Sequence, residues 1–417
     1  MSKYIINGGQ KICGSIGVEC AKNAYLPILA GSILSEGEVV LKNPPCFTDV
    51  ENMCLILEKI GMKIARQDNA LILNSENASP RFVPVEMAKL LRSSIFTLGA
   101  MLGRFKRARV AYPGGCDIGL RPIDLHLKGL RDVGVVITEN HGVINCDATN
   151  FCGGLVHLDF PSVGATENLI MTAVLGKSKT TILNCAREPE VIDLCNFLNK
   201  MGARIFGAGT GKIEIEGVAK LLGTEYTPIG DRIIAGTYLI ASAITGGEIE
   251  VFGCNPMFFA SLIDKLRYSG CILRVKGDKI YLKSPKTLKS AGFIETQVYP
   301  GFATDLQAQM LTLETVSKGC CVVQENIFES RFKFVPELIK MGAKVRVHDC
   351  TAYVEGVPNL SGAEVYAKDL RGGASLVLAG LCAKGYTTVN DSFHIERGYC
   401  DLDLRLNALG ADIKKEN

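Results

Sequence analysis

A short phrase recurs six times along this 417-residue chain: a residue, usually apolar, then Gly, two further positions and an apolar residue. The copies are IGMKI (60–64), VGVVI (133–137), MGARI (201–205), SGCIL (269–273), MGAKV (341–345) and LGADI (409–413). Their glycines stand at 61, 134, 202, 270, 342 and 410, at intervals of 73, 68, 68, 72 and 68 residues. A near-fixed period of this length is the mark of one supersecondary unit copied along the chain.

Each phrase closes a segment with apolar residues spaced by three and four, such as VIDLCNFLNKM or FFASLIDKLRYS, which predicts an amphipathic helix. The glycine then supplies the helix C-cap. Two alternating segments across a tight turn follow, as in GKIEIEGV (211–218) and DKIYLKS (278–284), and predict a hairpin. Upstream lie a strand and a second helix, as in AGTYLIASAITGGEIEVFG and LRGGASLVLAGLCAKGYTTVN. These second helices are apolar on most sides and mix Gly, Ala and Ser with large residues, so they belong in a core. The unit is therefore β-α-β-α-β-β and the fold class α/β. Three copies per domain put a boundary near YTPIGDR (226–232): residues 22–229 form a central domain, and 1–21 with 230–417 the other. The first strand, KYIING, is expected to close the C-terminal domain, and a cleft between the domains to receive a substrate.

Composition narrows the function. Lys and Arg number 46 against 43 Asp and Glu, a net charge of +3 without a basic block, which argues against nucleic-acid binding. The longest apolar runs, such as LVLAGLCA (376–383), are too short to span a bilayer, and the N-terminus carries no signal-peptide pattern. No membrane partner is expected, and the location expected is the cytoplasm. Sixteen cysteines without such a signal fit a reducing compartment, where most are small buried hydrophobes. There is no C-x-x-C pair, and the five histidines are not clustered near cysteines, so no metal is expected.

Two glycine-rich stretches fail as nucleotide loops. GAGTGK (207–212) falls where the repeat calls for a hairpin turn, and LGKSKTT (175–181) lacks the first glycine of a phosphate loop, with Met171 in its place. The cations at the repeat junctions carry more. Lys22 opens the first inner helix, Arg92 the second and Arg371 the last; Arg331 and Arg397 follow strands, and Arg121 lies in the PGGCDIGLRPIDLH loop (113–126). A cation at a helix start opposes the helix dipole. An anion held between cation and helix end resolves the conflict. The alternative is that each cation pairs with a surface carboxylate.

KN (22–23), RSSIFTLG, PGGCDIGLRPIDLH, FPSVGAT, AREPEVIDL, DRI–GT (231–237), TDLQAQ, IFESRF, DLR (369–371) and HIERGY occur in the order found in one family. Over essentially its whole length the chain resembles the UDP-N-acetylglucosamine 1-carboxyvinyltransferase family of enolpyruvyl transferases. The resemblance implies a two-domain inside-out α/β barrel of six repeats. It implies transfer of the enolpyruvyl group of phosphoenolpyruvate to the 3′-hydroxyl of UDP-N-acetylglucosamine, the step that opens peptidoglycan synthesis. The partners are these two small molecules and no cofactor or metal is needed; the oligomeric state is left open, a monomer being compatible.

By the same resemblance, Lys22, Arg121 and Arg397 bind the phosphate of phosphoenolpyruvate, and Arg331 and Arg371 clamp its carboxylate; Asn23 and Arg92 complete the surface. Asp305 matches the acceptor of the 3′-hydroxyl proton, although an Asp ahead of Leu-Gln-Ala also suits a helix N-cap. Cys116 matches the loop acid that protonates C3 and can form an adduct with phosphoenolpyruvate, which implies fosfomycin sensitivity. Neighbouring arginines favour its thiolate, and Gly114 and Gly115 let the loop move. Arg121, Pro122, Ile123, Asp124, Leu125, Ser162, Val163, Gly164 and Ile327 match nucleotide-sugar contacts. His126 matches a support for the diphosphate, with a buried structural role as the alternative.

The chain departs from the family pattern at Ile234, where many members carry Glu, at Ala303 in place of Pro, at Gly372 and Gly373, and at Phe96, where some carry Trp. The rival readings are the sister enzyme 3-phosphoshikimate 1-carboxyvinyltransferase and a non-catalytic UDP-N-acetylglucosamine-binding paralogue.

Overall fold

The computed structural model describes residues 2–114 and 123–416. The chain forms two compact units: Met1–Glu19 with Gly230–Asn417, and the described residues from Cys20 to Ile229. Among the described residues each unit has three sheets and three buried helices.

The repeat has a constant topology. In the third copy the strand Gly154–His157 leads through the helix Val163–Ala173 to the parallel strand Thr180–Leu183. The helix Pro189–Lys200 then leads to the hairpin Arg204–Phe206 and Lys212–Glu216, whose second strand pairs antiparallel with Thr180–Leu183. The fifth copy runs identically through Phe293–Glu295, Cys320–Gln324, Thr351–Glu355 and Lys344–His348. All six phrase glycines adopt left-handed backbone, with φ between 89° and 106°. That conformation ends the preceding helix and is strained for any residue with a Cβ.

Three features depart from six contiguous copies. Thr224–Tyr226 pairs with Val39–Lys42 of the first copy, whereas Cys13–Gly17 pairs with Glu248–Phe252 of the fourth, so these copies exchange their first strands. The N-terminal strand Lys3–Asn7 lies antiparallel between Tyr386–Asn390 and Ile413–Glu416 and supplies the final strand of the sixth copy. The sheet of the second copy has only three described strands, and an isolated bridge from Val83 to Val110 marks the missing place. Pro80 and Pro84, which have no amide hydrogen, flank that bridge.

The first helix of each copy, between its two parallel strands, lies inside. Arg232–Ile244 is buried from Ile233 onward, Gln307–Glu314 throughout and Leu370–Cys382 up to Leu381. Small residues set the spacing: a Cβ on Gly103 would lie 2.3 Å from the Met171 carbonyl oxygen. The sheets surround these helices with one face in water, which is why Lys63–Gln67 and Ile272–Lys276 are largely exposed. No helix among the described residues is long and apolar enough to cross a membrane.

Candidate functional site

The N-terminal ends of the inner helices in the Gly230–Asn417 unit collect charge. Asp305 lies in a single helical turn, Thr304–Leu306, ahead of Gln307–Glu314. It is not the N-cap that its position in TDLQ also suggested. Ala303 holds that place, and the Asp305 carboxylate is drawn instead to two arginines. Arg331 donates from Nη2 to Oδ1, and Arg371 from Nη2 to Oδ2 at 3.0 Å.

Both guanidiniums are buried, Arg331 at 4% and Arg371 at 3% exposure, in an environment that requires a paired charge. Arg371 stacks over the Tyr399 ring at 5.4 Å, and Arg331 over Phe328 at 5.3 Å. Burial opposes the Arg371 charge, but Asp305, Tyr399 and Asp231 outweigh it and hold the pKa above its ordinary value. Nε and Nη1 of Arg371 are buried without a hydrogen-bond partner among the described residues. A fixed, permanently charged planar cation suits an incoming carboxylate.

The start of this last inner helix is capped independently. Asp369 accepts from the amides of Arg371 and Gly372 at 3.0 and 2.9 Å. A Cβ on Gly372 would meet Asp369 Oδ2 at 2.7 Å, and one on Gly373 would meet Ile395 Cγ1 at 2.7 Å. Ile234 is buried at 1% exposure, and its amide donates to the N-cap Asp231 at 3.0 Å. Arg397 does not directly follow a strand; it caps the short helix Phe393–Glu396 and is half-buried. Arg331 likewise lies in a run of turns after Cys320–Gln324, and Ile327 is half-buried in the same connection.

In the other unit Lys22 is the first residue of the helix Lys22–Gly31. Its Nζ lies 3.0 Å from Asp49 Oδ2, with Lys22 8% and Asp49 2% exposed. The carboxylate pairing held as the alternative therefore exists for Lys22, with the buried Asp49, and for Arg331 and Arg371, with the half-buried Asp305. Asn23 is exposed beside Lys22, and Arg92 reaches the Pro113 carbonyl oxygen at 3.4 Å.

Ile123, Asp124 and Leu125 open the helix Asp124–Asp132, with Asp124 exposed and Leu125 half-buried. His126 is buried, its Nδ1 2.8 Å from Asn168 Nδ2. A Cβ on Gly164 would lie 2.9 Å from His126 Cε1, so only glycine fits under the imidazole. Ser162 caps the helix Val163–Ala173 by accepting from the Ala165 amide at 3.3 Å. The fold thus brings His126, Ser162, Val163 and Gly164 together. Cys116, Arg121 and Pro122, with Gly115, lie outside the described residues.

Several partners escaped the sequence reading. Asp49 looks like an acidic residue that favours a helix start, and only the fold pairs it with Lys22. Tyr399 bonds Thr237 Oγ1 at 2.9 Å and accepts from Gln309 Nε2 at 3.1 Å beneath Arg371. Two polar residues, Thr237 and Gln309, on faces destined for the core were the available signal. No group of three or more His, Cys, Asp or Glu among the described residues is placed to hold a metal.

The sequence pattern described as EPSP synthase (3-phosphoshikimate 1-carboxyvinyltransferase) matches residues 6–406. The chain is 48% identical over 413 residues to UDP-N-acetylglucosamine 1-carboxyvinyltransferase 2 of Caldanaerobacter subterraneus, covering 99% of both chains. It is 45% identical over 421 residues to UDP-N-acetylglucosamine 1-carboxyvinyltransferase 1 of Clostridium perfringens, covering all of both. In fold it is similar to the enolpyruvyl transferase NikO of Streptomyces tendae, with a TM-score of 0.88 at 22% identity over 99% of this chain and 98% of that one. It is also similar to EPSP synthase of Acinetobacter baumannii, with a TM-score of 0.76 at 18% identity over the whole of both. The chain belongs to the EPSP synthase family, in its branch of UDP-N-acetylglucosamine 1-carboxyvinyltransferases.

Proposed function

We propose that this protein transfers the enolpyruvyl group of phosphoenolpyruvate to the 3′-hydroxyl of UDP-N-acetylglucosamine and releases phosphate, the first committed step of peptidoglycan synthesis. The observation that carries the choice of acceptor is the near-half identity, end to end, with relatives named for that sugar nucleotide. The EPSP synthase of Acinetobacter baumannii is 18% identical. Both substrates are small and soluble, so the protein works in the cytoplasm without a membrane partner.

Arg331 and Arg371 hold the carboxylate of phosphoenolpyruvate. That they already grip the Asp305 carboxylate supports the assignment, because the same planar forks suit either one. Lys22, Arg121 and Arg397 take the phosphate, and Asn23 and Arg92 border it. Ile123, Asp124, Leu125, Ser162, Val163, Gly164 and Ile327, with Arg121 and Pro122, hold the nucleotide sugar. His126, held through Nδ1 by Asn168, supports the diphosphate.

Asp305 takes the proton of the 3′-hydroxyl as the oxygen attacks C2, and Cys116 delivers a proton to C3. The tetrahedral intermediate then loses a proton from C3 and expels phosphate, which restores the double bond. The arginines preorganise positive charge around a multiply charged substrate, which is where transition-state stabilisation is greatest.

Phosphate release measured with phosphoenolpyruvate and each acceptor in turn tests the reading. Turnover with UDP-N-acetylglucosamine alone is expected. Turnover with shikimate 3-phosphate alone would transfer the assignment to the sister enzyme, and binding without phosphate release to a sensor. Alkylating Cys116 is expected to abolish turnover and to be prevented by fosfomycin, whereas full activity in Cys116→Ala would remove its acid role.

A further inference from the structure

Glu325 follows the strand Cys320–Gln324 and is 1% exposed. Its carboxylate receives four hydrogen bonds. Oε1 accepts from Thr296 Oγ1 at 2.8 Å, the Ile327 amide at 2.9 Å and the Phe328 amide at 3.1 Å. Oε2 accepts from Thr304 Oγ1 at 2.9 Å. Thr296, also buried, accepts from the Asn326 amide at 2.9 Å, so the whole 325–328 connection is tied to one carboxylate.

Thr304 has one hydroxyl proton, and it is committed to Glu325. The oxygen must therefore present a lone pair to its other neighbour, Arg331 Nε, which donates to it at 3.2 Å. Arg331 in turn donates from Nη2 to Asp305. A directed chain thus runs from Glu325 through Thr304 to Arg331 and Asp305, while the opposite oxygen of Glu325 fixes the turn that carries Ile327.

The geometry points to Glu325 as a positioning residue for the reaction. Through Thr304 it holds the Arg331 fork in the plane that grips a carboxylate, and through the backbone it holds the Ile327 turn. Neither Glu325 nor Thr304 touches the reacting atoms; they act through Arg331. The inference rests on the reaction assigned above.

The two oxygens make separate predictions. Thr304→Val cuts the relay and leaves the three bonds at Oε1. In Glu325→Gln the amide nitrogen cannot face the three donors at Oε1 and must face Thr304, so the hydroxyl proton loses its charged acceptor while the turn is kept. Each variant should raise KM for phosphoenolpyruvate by about tenfold, the scale of one hydrogen bond to a charged group, with KM for UDP-N-acetylglucosamine unchanged. Thr304→Ser, which keeps the hydroxyl, should recover most of the loss. The double variant should be no worse than either single one, since both break one chain.

An unchanged KM for phosphoenolpyruvate in Thr304→Val, or equal increases for both substrates with a lowered Tm, overturns the relay. If the wild-type protein releases no phosphate, the reaction assignment fails by itself. The relay is then judged from crystal structures of wild type and Thr304→Val: a displaced Arg331 supports it, and an unmoved one refutes it.

Discussion

Replacing Gly99 by Ala sets local propensity against packing. Gly99 lies in the helix Phe96–Phe105, where alanine should stabilise by about 1 kcal/mol. The neighbouring helix opposes that gain. A Cβ at residue 99 would lie 2.5 Å from both the Asn168 carbonyl oxygen and Oδ1, and 2.8 Å from Asn168 Cα. Two of these are main-chain atoms, so a rotamer change does not relieve the clash and one helix must shift. Overpacking of that kind costs about 1–3 kcal/mol and sometimes more. The shift also disturbs the Asn168 amide, which accepts from the Gly99 amide at 2.8 Å and meets His126 Nδ1 at 2.8 Å. Two buried hydrogen bonds at about 1 kcal/mol each make the clash term larger than the helix gain. The net loss is about 2–3 kcal/mol, or about 5–10 °C in Tm for a unit of this size. Thermal and urea unfolding of wild type and Gly99→Ala measure it. An unchanged or higher Tm would refute the reasoning, because it would mean that propensity outweighs contact between the inner helices.

Glu167 is fully buried and neither oxygen has a hydrogen bond among the described residues; burial first, then Glu190 and Glu188, push its pKa well above 4.5. The folded protein keeps a proton that the unfolded chain releases, so this contribution is complete at low pH and is lost as pH rises through the folded pKa. Urea midpoints taken from about pH 5 to about pH 8 should therefore fall less in Glu167→Gln than in wild type, and equal slopes would exclude the effect. Asp305→Asn weakens the hold on Arg331 and Arg371 and removes the base, so phosphoenolpyruvate should bind as well or better by calorimetry while kcat falls ~10³-fold; weaker binding would contradict competition for one pair of forks. Arg371→Lys loses the planar fork over Tyr399 and should cost ~100-fold in kcat/KM; full activity would show that charge alone suffices.

How far the fold can be read from the chain differs by feature. The left-handed glycines at 61, 134, 202, 270, 342 and 410 were legible because a backbone conformation that side chains resist leaves its mark at a single residue. Inner helices such as Arg232–Ile244 and Leu370–Cys382 were legible because burial leaves few polar residues on any face, whereas Gln307–Glu314, buried with two glutamines and a glutamate, lacks that mark. The exchanged strands were not. Cys13–Gly17 and Thr224–Tyr226 each precede an inner helix in the same way, and nothing local indicates which sheet edge each joins. At the site, the cations stood out as breaks in a repeat, and motif order supplied their roles. Their partners did not stand out: Asp305 reads as a helix cap until Arg331 and Arg371 are placed beside it.

The amino-acid order alone determined the sixfold architecture, the membership of most helices in core or surface, and the family whose chemistry the chain carries. These depend on periodicity and on residue types, which are local properties. Tertiary structure alone decided that Arg371 keeps two buried donors unbonded among the described residues, that His126 is fixed by Asn168, and that Glu325 governs Arg331 through one hydroxyl. A hydrogen bond depends on distances of a few tenths of an ångström between groups far apart in the chain, and only packing of the helices and sheets sets those distances.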